Sequence, residues 1–222
     1  MLRRLTIRMI IVAACASLAI FATHLTTRAL PQVPFAHPYY IEAQPYVSTP
    51  TYSLGFSPQQ IRGAYNISST FRGAGITIAI VDAYDDPTAA ADFDTFSRQF
   101  GLPTIAGGCK CFTKVDQVGG TNYPAVNTGW AGEIALDIEW AHAIAPQAKI
   151  LLIESIDSTF ANMFTAESYA IANATVISNS WGAAEFGGEV AFDATLNAAG
   201  VAILFSAGDN GCLLYTSPSP RD

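Results

Sequence analysis

Apolar positions repeat along residues 58–206 with two alternating periods. Short runs rich in Val and Ile predict strands buried on both faces, and apolar residues three and four positions apart predict helices. The strands are expected at 76–82, 112–116, 149–154, 175–180 and 201–206, and the helices at 58–65, 86–100, 130–143, 159–172 and 189–199. This alternation predicts an α/β fold with a mostly parallel sheet and helices on both faces.

The first 29 residues differ from this pattern and are expected to be a signal peptide. Arg3, Arg4 and Arg8 precede an apolar run at 9–22, which is short for a bilayer span and typical of a signal core. Cleavage after Ala22 and cleavage after Ala29 both fit the sequence. With a signal, the protein is exported to the extracellular space or the periplasm. The alternative is an uncleaved anchor, and only then would the protein contact a membrane.

Two further segments fall outside the alternating pattern. Residues 30–56 contain five prolines and predict an extended linker or short leader. Residues 212–222 match the translation of one reading frame of a transposon-end adapter used in sequencing libraries. We interpret them as a remnant of cloning or sequence assembly. The folded domain is therefore expected at 57–211 and is expected to be incomplete at its C-terminus.

Composition and charge narrow the class of protein. Half of the residues are apolar and 13% are charged, as in a globular domain and unlike a disordered, collagen-like or coiled-coil chain. Residues 30–211 carry six basic and 17 acidic side chains, and this negative charge argues against a nucleic-acid partner. Cys109 and Cys111 can form a disulfide after export, and a Cys-x-Cys metal site is the weaker alternative.

Polar residues collect at the ends of three predicted strands. Asp82 ends the first strand, Ser180-Trp181-Gly182 follows the fourth, and Ser206-Ala207-Gly208-Asp209 follows the fifth. Ligands of parallel sheets bind beyond the carboxyl ends of the strands, so we expect a single site there. For Asp85, Asp86 and Ser206 a turn or helix-cap role is favoured.

Two acids on the third of the long predicted helices, 130–143, are the strongest chemical signal. Glu133 and Asp137 are four residues apart, so their carboxyls share one face of the helix and repel each other. The helix contains no Lys or Arg to relieve the repulsion. We therefore expect a shared proton and one raised pKa, as in acid/base pairs. The alternative is two solvated acids, a description that suits Glu139 better because it lies on the other side of the helix.

Four motifs in series resemble the sedolisin family of serine-carboxyl peptidases. They occur in the family's order and rough spacing, and the resemblance covers roughly 57–211. It implies a subtilisin-like fold in which a glutamate takes the place of the usual histidine, with 57–211 as the N-terminal part of the peptidase domain. The motifs are Ile80-Val81-Asp82-Ala83-Tyr84-Asp85-Asp86-Pro87, Glu133-x-x-x-Asp137, Ser178-Asn179-Ser180-Trp181-Gly182 and Ser206-Ala207-Gly208-Asp209-Asn210-Gly211.

The resemblance also implies roles for individual residues. Glu133 would be the general base, Asp137 its hydrogen-bonded partner, and Asp82 a supporting acid behind the pair. Asp209 would donate a hydrogen bond to the oxyanion, which requires its protonated form and therefore acid pH. The edge of the cleft that binds the peptide backbone would be formed by Ser180, Trp181 and Gly182.

The chain departs from the family pattern in ways that affect function. The Gly-Thr-Ser motif with the nucleophilic serine, the calcium loop and the large propeptide do not occur in the 222 residues. The family implies Ca²⁺ as a cofactor, but its ligands are not in this chain, and no metal site is predicted here. We expect an exported endopeptidase that acts on peptides or proteins at acid pH as a monomer, with this fragment itself inactive.

Two other functions remain open from the sequence. A catalytically inactive relative would serve as an exported binding module. A subtilisin-type serine protease would pair Asp82 with a histidine, but His24 and His37 precede the domain. His142 is not in a His-Gly-Thr setting and is expected at a helix end.

Overall fold

Five parallel strands form the central sheet. The computed structural model describes residues 33–38, 55–184 and 186–208. The sheet order is β3-β4-β2-β5-β7, and every neighbouring pair in it is parallel. In chain order the strands are β1 (His37–Pro38), β2 (Thr77–Ala83), β3 (Phe112–Asp116), β4 (Lys149–Ser155), β5 (Val176–Asn179), β6 (Trp181–Gly182) and β7 (Ala202–Phe205). The helices are α1 (Pro58–Ala64), α2 (Ala89–Phe100), α3 (Thr128–Ile144), α4 (Phe160–Asn173) and α5 (Val190–Leu196).

The two faces of the sheet are covered by different helices. Successive side chains of a strand point to opposite faces. On one face Val81 of β2 packs in a cluster with Met163 of α4. On the other face Ile80 of β2 packs with Phe93 of α2 and Ile134 of α3. The predicted α/β fold, with a parallel sheet and helices on both faces, is confirmed.

Local sequence signals set the helix starts that position the rest of the domain. The side chain of Ser57 caps α1, and Gln60 bonds back to the Ser57 backbone in a capping box. The Asn127 side chain accepts hydrogen bonds from the backbone N–H groups of Gly129 and Trp130 at the start of α3. The Asn127 cap fixes where α3 begins and therefore the direction of each side chain along it.

The predicted elements agree with the observed ones to within three residues at each end. The main difference follows β5, which ends at Asn179 instead of Ser180. Trp181–Gly182 then pairs antiparallel with His37–Pro38, outside the main sheet. The sequence analysis missed β1 and β6 because strands of two residues carry no periodicity.

The chain divides into two compact units, Met1–Val33 and Pro34–Asp222, and the fold described above belongs to the second. The predicted signal at 1–29 and tail at 212–222 lie outside the described residues, so the domain boundaries stay a prediction. Cys109 and Cys111 are joined as a disulfide, the first of the two alternatives. None of the helices in the described ranges is long and apolar enough to cross a membrane.

Gly119 offers a test of the packing around α4. Its φ is +88°, and a Cβ built there would overlap the ring of Tyr169. Gly119→Ala therefore adds a steric clash to left-handed strain, and urea denaturation should show a loss of roughly 2–4 kcal/mol in unfolding free energy.

Gly108 is the matched control, because its φ is also +88° but an added Cβ would have nothing within 4 Å. Gly108→Ala should cost only the backbone strain, about 1–2 kcal/mol. Equal losses at the two positions would show that the Tyr169 ring moves aside without cost.

Candidate active site

Two neighbouring strands end in buried acids. Asp82 of β2 lies opposite Glu154 of β4 in the parallel register, and both residues are 0% exposed. Each continues an apolar row, with Ile80 on β2 and Leu152 on β4, that packs under α2 and α3. Because side chains two residues apart share a face, the two carboxyls point to the α3 side of the sheet.

Helix α3 brings two more carboxyls to this end of the sheet. Glu133 is fully buried, and Asp137, one turn later, is half-buried. Ile134 and Ile138 each follow one of these acids and anchor the helix on the sheet. The helical period therefore holds Glu133 and Asp137 beside the row that contacts β2 and β4.

The neighbouring acids contribute to a raised pKa at Asp137 and at Asp82. Burial, and then the charge of Glu133, raises the pKa of Asp137 to about 8. Burial also raises the pKa of Asp82 well above its usual value, with further contributions from Asp137, Glu133 and Glu154. Both oxygens of Asp82 and Oδ2 of Asp137 are buried and have no hydrogen-bond partner among the described residues. The raised pKa expected for one member of the pair is found at Asp137, and the group retains protons at neutral pH.

Lys114 of β3 places a positive charge at the rim of this acid group. Its ammonium donates hydrogen bonds to Asp85 Oδ1, to Glu154 Oε1 at 2.9 Å and to the Asp86 carbonyl at 2.6 Å. It also lies 4.5 Å from the centroid of the Tyr123 ring. Burial favours the neutral amine, but the bonds to Asp85 and Glu154 prevail and raise the pKa of Lys114. Lys114 is therefore charged.

For three acids near this group, the surroundings agree with the sequence prediction in one case and differ from it in two. Asp86 accepts hydrogen bonds from the backbone and hydroxyl of Thr88, which is the turn role predicted for it. The side chain of Asp85 is instead ion-paired with Lys114, because a distant strand supplies the cation. Glu139 is not a solvated acid: it is half-buried, and burial, followed by the charges of Asp92 and Asp86, raises its pKa to about 8.

The predicted cleft edge is anchored one residue from Asp82. Trp181 is 2% exposed, and its indole Nε1 donates a hydrogen bond to the Val81 carbonyl at 2.9 Å. Its ring meets Phe205 edge-on at 5.0 Å between centroids, and Ser180 before it is half-buried. The Trp181–Gly182 backbone already pairs with a strand, His37–Pro38 of the same chain.

Two other candidate residues do not join this group. Asp209, expected to face the oxyanion, lies outside the described residues. His142 is fully buried, with Nε2 2.9 Å from the Pro103 carbonyl oxygen and its ring 4.5 Å from that of Phe93. No hydrogen bond or ion pair connects His142 to Asp82 in the described part of the chain, so His142 is a packed helix-end residue.

The described residues do not form a binding site for calcium. Within 33–38, 55–184 and 186–208, no group of three or more His, Cys, Asp or Glu side chains is arranged to hold a metal ion. No chemical step is therefore derived through calcium.

The sequence analysis missed Glu154 and Lys114. Glu154 ends an apolar run in the same way as Asp82, so a signal for it was present. No local sequence pattern predicts the position of Lys114, because the strand order β3-β4-β2 is what brings it close to the acids.

Comparison with known proteins identifies relatives of this chain. No family model matches the chain. The chain is 31% identical over 184 residues to kumamolisin from Bacillus sp. (strain MN-32), and the match covers 77% of this chain and 31% of kumamolisin. This chain is related to the sedolisin family. Its structure is also similar to that of Pseudomonas sedolisin, a serine-carboxyl proteinase complexed with two molecules of pseudo-iodotyrostatin. That likeness has 22% identity over 56% of this chain and 34% of that chain, and its TM-score of 0.47 is too low to carry an argument.

The sedolisin relationship covers only part of an enzyme. The chain spans about a third of the length of the curated relative it matches. The match therefore supports a relationship to the sedolisin family, and the roles of the acid group are the subject of a proposal.

The raised pKa of Asp137 gives a test of this acid group through stability. An acid whose folded-state pKa is raised binds more protons in the folded state, so stability falls as pH rises from about 4 to about 8. Asp137→Asn removes this contribution. Urea midpoints measured at pH 5, 6.5 and 8 should therefore fall less steeply in the variant than in the unsubstituted chain.

Asp157 provides the control for this experiment. Hydrogen bonds from Asn162 and Thr159 outweigh burial and lower its pKa, so its stabilisation is lost only as pH falls below its usual range. Asp157→Asn should lower stability equally at pH 5 and pH 8. An unchanged slope in Asp137→Asn would show that Asp137 is ionised throughout this range.

The pairing of β1 with β6 can be tested by hydrogen exchange. A chain lacking residues 34–38 loses the antiparallel partner of Trp181–Gly182, so deuterium uptake in 180–184 should increase. Peptides from α2 serve as the internal reference and should be unchanged. Unaltered uptake at 180–184 would contradict this pairing.

Proposed function

We propose that this chain is the N-terminal part of an exported serine-carboxyl endopeptidase that acts on proteins or peptides at acid pH. The observation that carries the proposal is the group formed by the buried carboxyls of Asp82 and Glu133 and the half-buried carboxyl of Asp137, near the carboxyl ends of parallel strands. Isolated buried acids are costly, and perturbed acids gathered at a ligand-binding edge are typical of acid/base sites. The sedolisin relationship supports the same function.

In the proposed mechanism Glu133 is the general base. A serine hydroxyl attacks the peptide carbonyl and forms a C–O bond, and its proton passes to Glu133. Glu133 then returns the proton to the departing amine, and water releases the acyl group by the same route. Asp137 shares a proton with Glu133 and so adjusts its basicity. The serine is proposed to lie in the rest of the enzyme, because the 222 residues contain no Gly-Thr-Ser motif.

The acid pH range follows from the proposed role of Asp209. A carboxyl stabilises an oxyanion only while it is protonated, since an ionised carboxylate would repel the developing charge. Asp209 must therefore keep its proton while the Glu133–Asp137 pair has released one. These two conditions are met together on the acid side of neutrality.

The substrate is proposed to bind as an extended strand along Ser180, Trp181 and Gly182. The pairing of Trp181–Gly182 with His37–Pro38 supports this proposal, because it shows that an extended peptide fits this edge in antiparallel register. Calcium, a monomeric state and export by the segment 1–29 remain parts of the proposal that rest on the family or the sequence.

The proposed roles of Glu133 and Asp137 can be tested in the completed enzyme, with this chain to Gly211 followed by its natural continuation. Glu133→Gln keeps the size of the side chain but cannot take the serine proton, so kcat should fall by roughly two to four orders of magnitude. Asp137→Asn should cost less and shift the pH profile, because it removes the proton-sharing partner that adjusts the basicity of Glu133. The double variant should lose little more than Glu133→Gln, since groups that act as a unit are non-additive.

Glu139→Gln is the matched control. Glu139 lies on the same helix and is also a half-buried acid with a raised pKa, but its charged neighbours are Asp92 and Asp86. The kcat of Glu139→Gln should stay within about threefold of that of the unsubstituted enzyme. A loss as large as that of Glu133→Gln would show that the assigned helix face is wrong. An unsubstituted enzyme without peptidase activity would favour the exported binding module instead.

A further inference from the structure

Glu154 is a fourth carboxyl of this site that the proposed mechanism does not use. It is 0% exposed and lies at the same level of the sheet as Asp82, on the neighbouring parallel strand. Register partners in a parallel pair point to the same face. Glu154 and Asp82 therefore lie side by side under α3.

The two oxygens of Glu154 have different surroundings. Oε1 accepts the Asp86 backbone N–H at 3.0 Å and the Lys114 ammonium at 2.9 Å. Oε2 is buried and has no hydrogen-bond partner among the described residues, and the same is true of both oxygens of Asp82. The donors thus fix the orientation of the Glu154 carboxyl and hold one oxygen on the Lys114 side.

The charged groups around Asp82 come from three elements. Glu133 and Asp137 face it from α3, and Glu154 faces it from β4. Around Glu154 stand Lys114 of β3, Asp85 of the loop after β2, and Asp82 itself. Among the described residues, the ion pairs of this set join Lys114 to Glu154 and to Asp85.

We propose that Glu154 is a positioning residue of this site, whose carboxyl, held by Lys114 and the Asp86 amide, keeps Asp82 in its protonated form. Two buried carboxyls side by side do not both ionise readily, because like charges repel strongly away from water. Burial raises the pKa of Glu154 to about 8, and the donors at Oε1 oppose this rise. Asp82 accepts no hydrogen bond from the described residues, so Glu154 ionises first and the proton is retained by Asp82. Asp82 then presents a proton, and not a third negative charge, to Glu133 and Asp137.

This inference rests on the proposed function only for its catalytic consequence. If Asp82 ionised at lower pH, its charge would oppose ionisation of Glu133, the proposed base. Because Glu154 itself ionises near pH 8, it opposes the ionisation of Asp82 most strongly above that pH. The ionisation of Asp82 can be measured in the 222-residue chain without any activity.

The experiment is an NMR titration of side-chain carboxyl carbons in the full chain, with the Asp82 signal assigned by its loss in Asp82→Asn. In the unsubstituted chain Asp82 should titrate well above its ordinary range. Glu154→Gln keeps an oxygen to accept from Lys114 and Asp86 but removes the charge. The apparent midpoint of Asp82 should then fall by about one pH unit, whereas Glu154→Asp should keep most of the elevation. An Asp82 midpoint that is the same in Glu154→Gln and in the unsubstituted chain would overturn the proposal.

Glu167→Gln is the control for a buried charge elsewhere on the sheet. Glu167 is 0% exposed on α4 and accepts a hydrogen bond from Asn179 on the other face, so its substitution should leave the Asp82 midpoint unchanged. If Glu154→Gln does not fold, the titration of the unsubstituted chain still tests the proposal. Asp82 and Glu154 should each then titrate in two steps as a coupled pair, and independent single steps would overturn the proposal.

Kinetics of the completed enzyme separate this inference from the proposed function. Because the NMR result does not depend on turnover, an inactive unsubstituted enzyme would contradict the proposed function alone. An active enzyme in which the Asp82 midpoint is unmoved by Glu154→Gln would contradict the inference alone.

Discussion

The parallel register between β2 and β4 is the constraint on which the site depends. It sets Asp82 opposite Glu154 and directs both carboxyls into the space under α3. A shift of either strand by one residue would turn its acid toward α4, because strand side chains alternate between faces. The register is fixed by the apolar rows that precede the acids, which must face α2 and α3 for the core to close. The same apolar contacts that stabilise the sheet thus decide where the carboxyls meet.

The unfavourable free energy of burying this acid group is reduced in two ways. Burying an ionised carboxylate is unfavourable, and the favourable response is to keep the proton. Asp82 and Asp137 do so, as their raised pKa values show. Lys114 provides one compensating charge at the rim, where Tyr123 and Asp85 also contact it. The result is a region of low charge inside an acidic domain, with protons available on short side chains.

Much of the fold was predictable because its signals are local. Apolar runs predicted the strands to within three residues, and the four-residue spacing of Glu133 and Asp137 predicted a coupled pair. Glu154 was overlooked although it ends an apolar run in the same way as Asp82. Lys114 was not predicted, since its proximity to the acids depends on strand order, which no short segment encodes. Glu139 was misjudged for a related reason: its side of α3 is half-covered by neighbouring residues that include Asp92 of α2, and burial by another helix is a tertiary property.

The pairing of His37–Pro38 with Trp181–Gly182 has a consequence for any measurement of peptide binding. A partner strand on the same chain acts at an effective concentration in the millimolar range for short flexible tethers. A free peptide must displace this tethered strand, so its apparent dissociation constant includes that competition. The intact chain therefore understates the intrinsic affinity of the edge, and two preparations that differ only in their first residues would rank the same peptides on different scales.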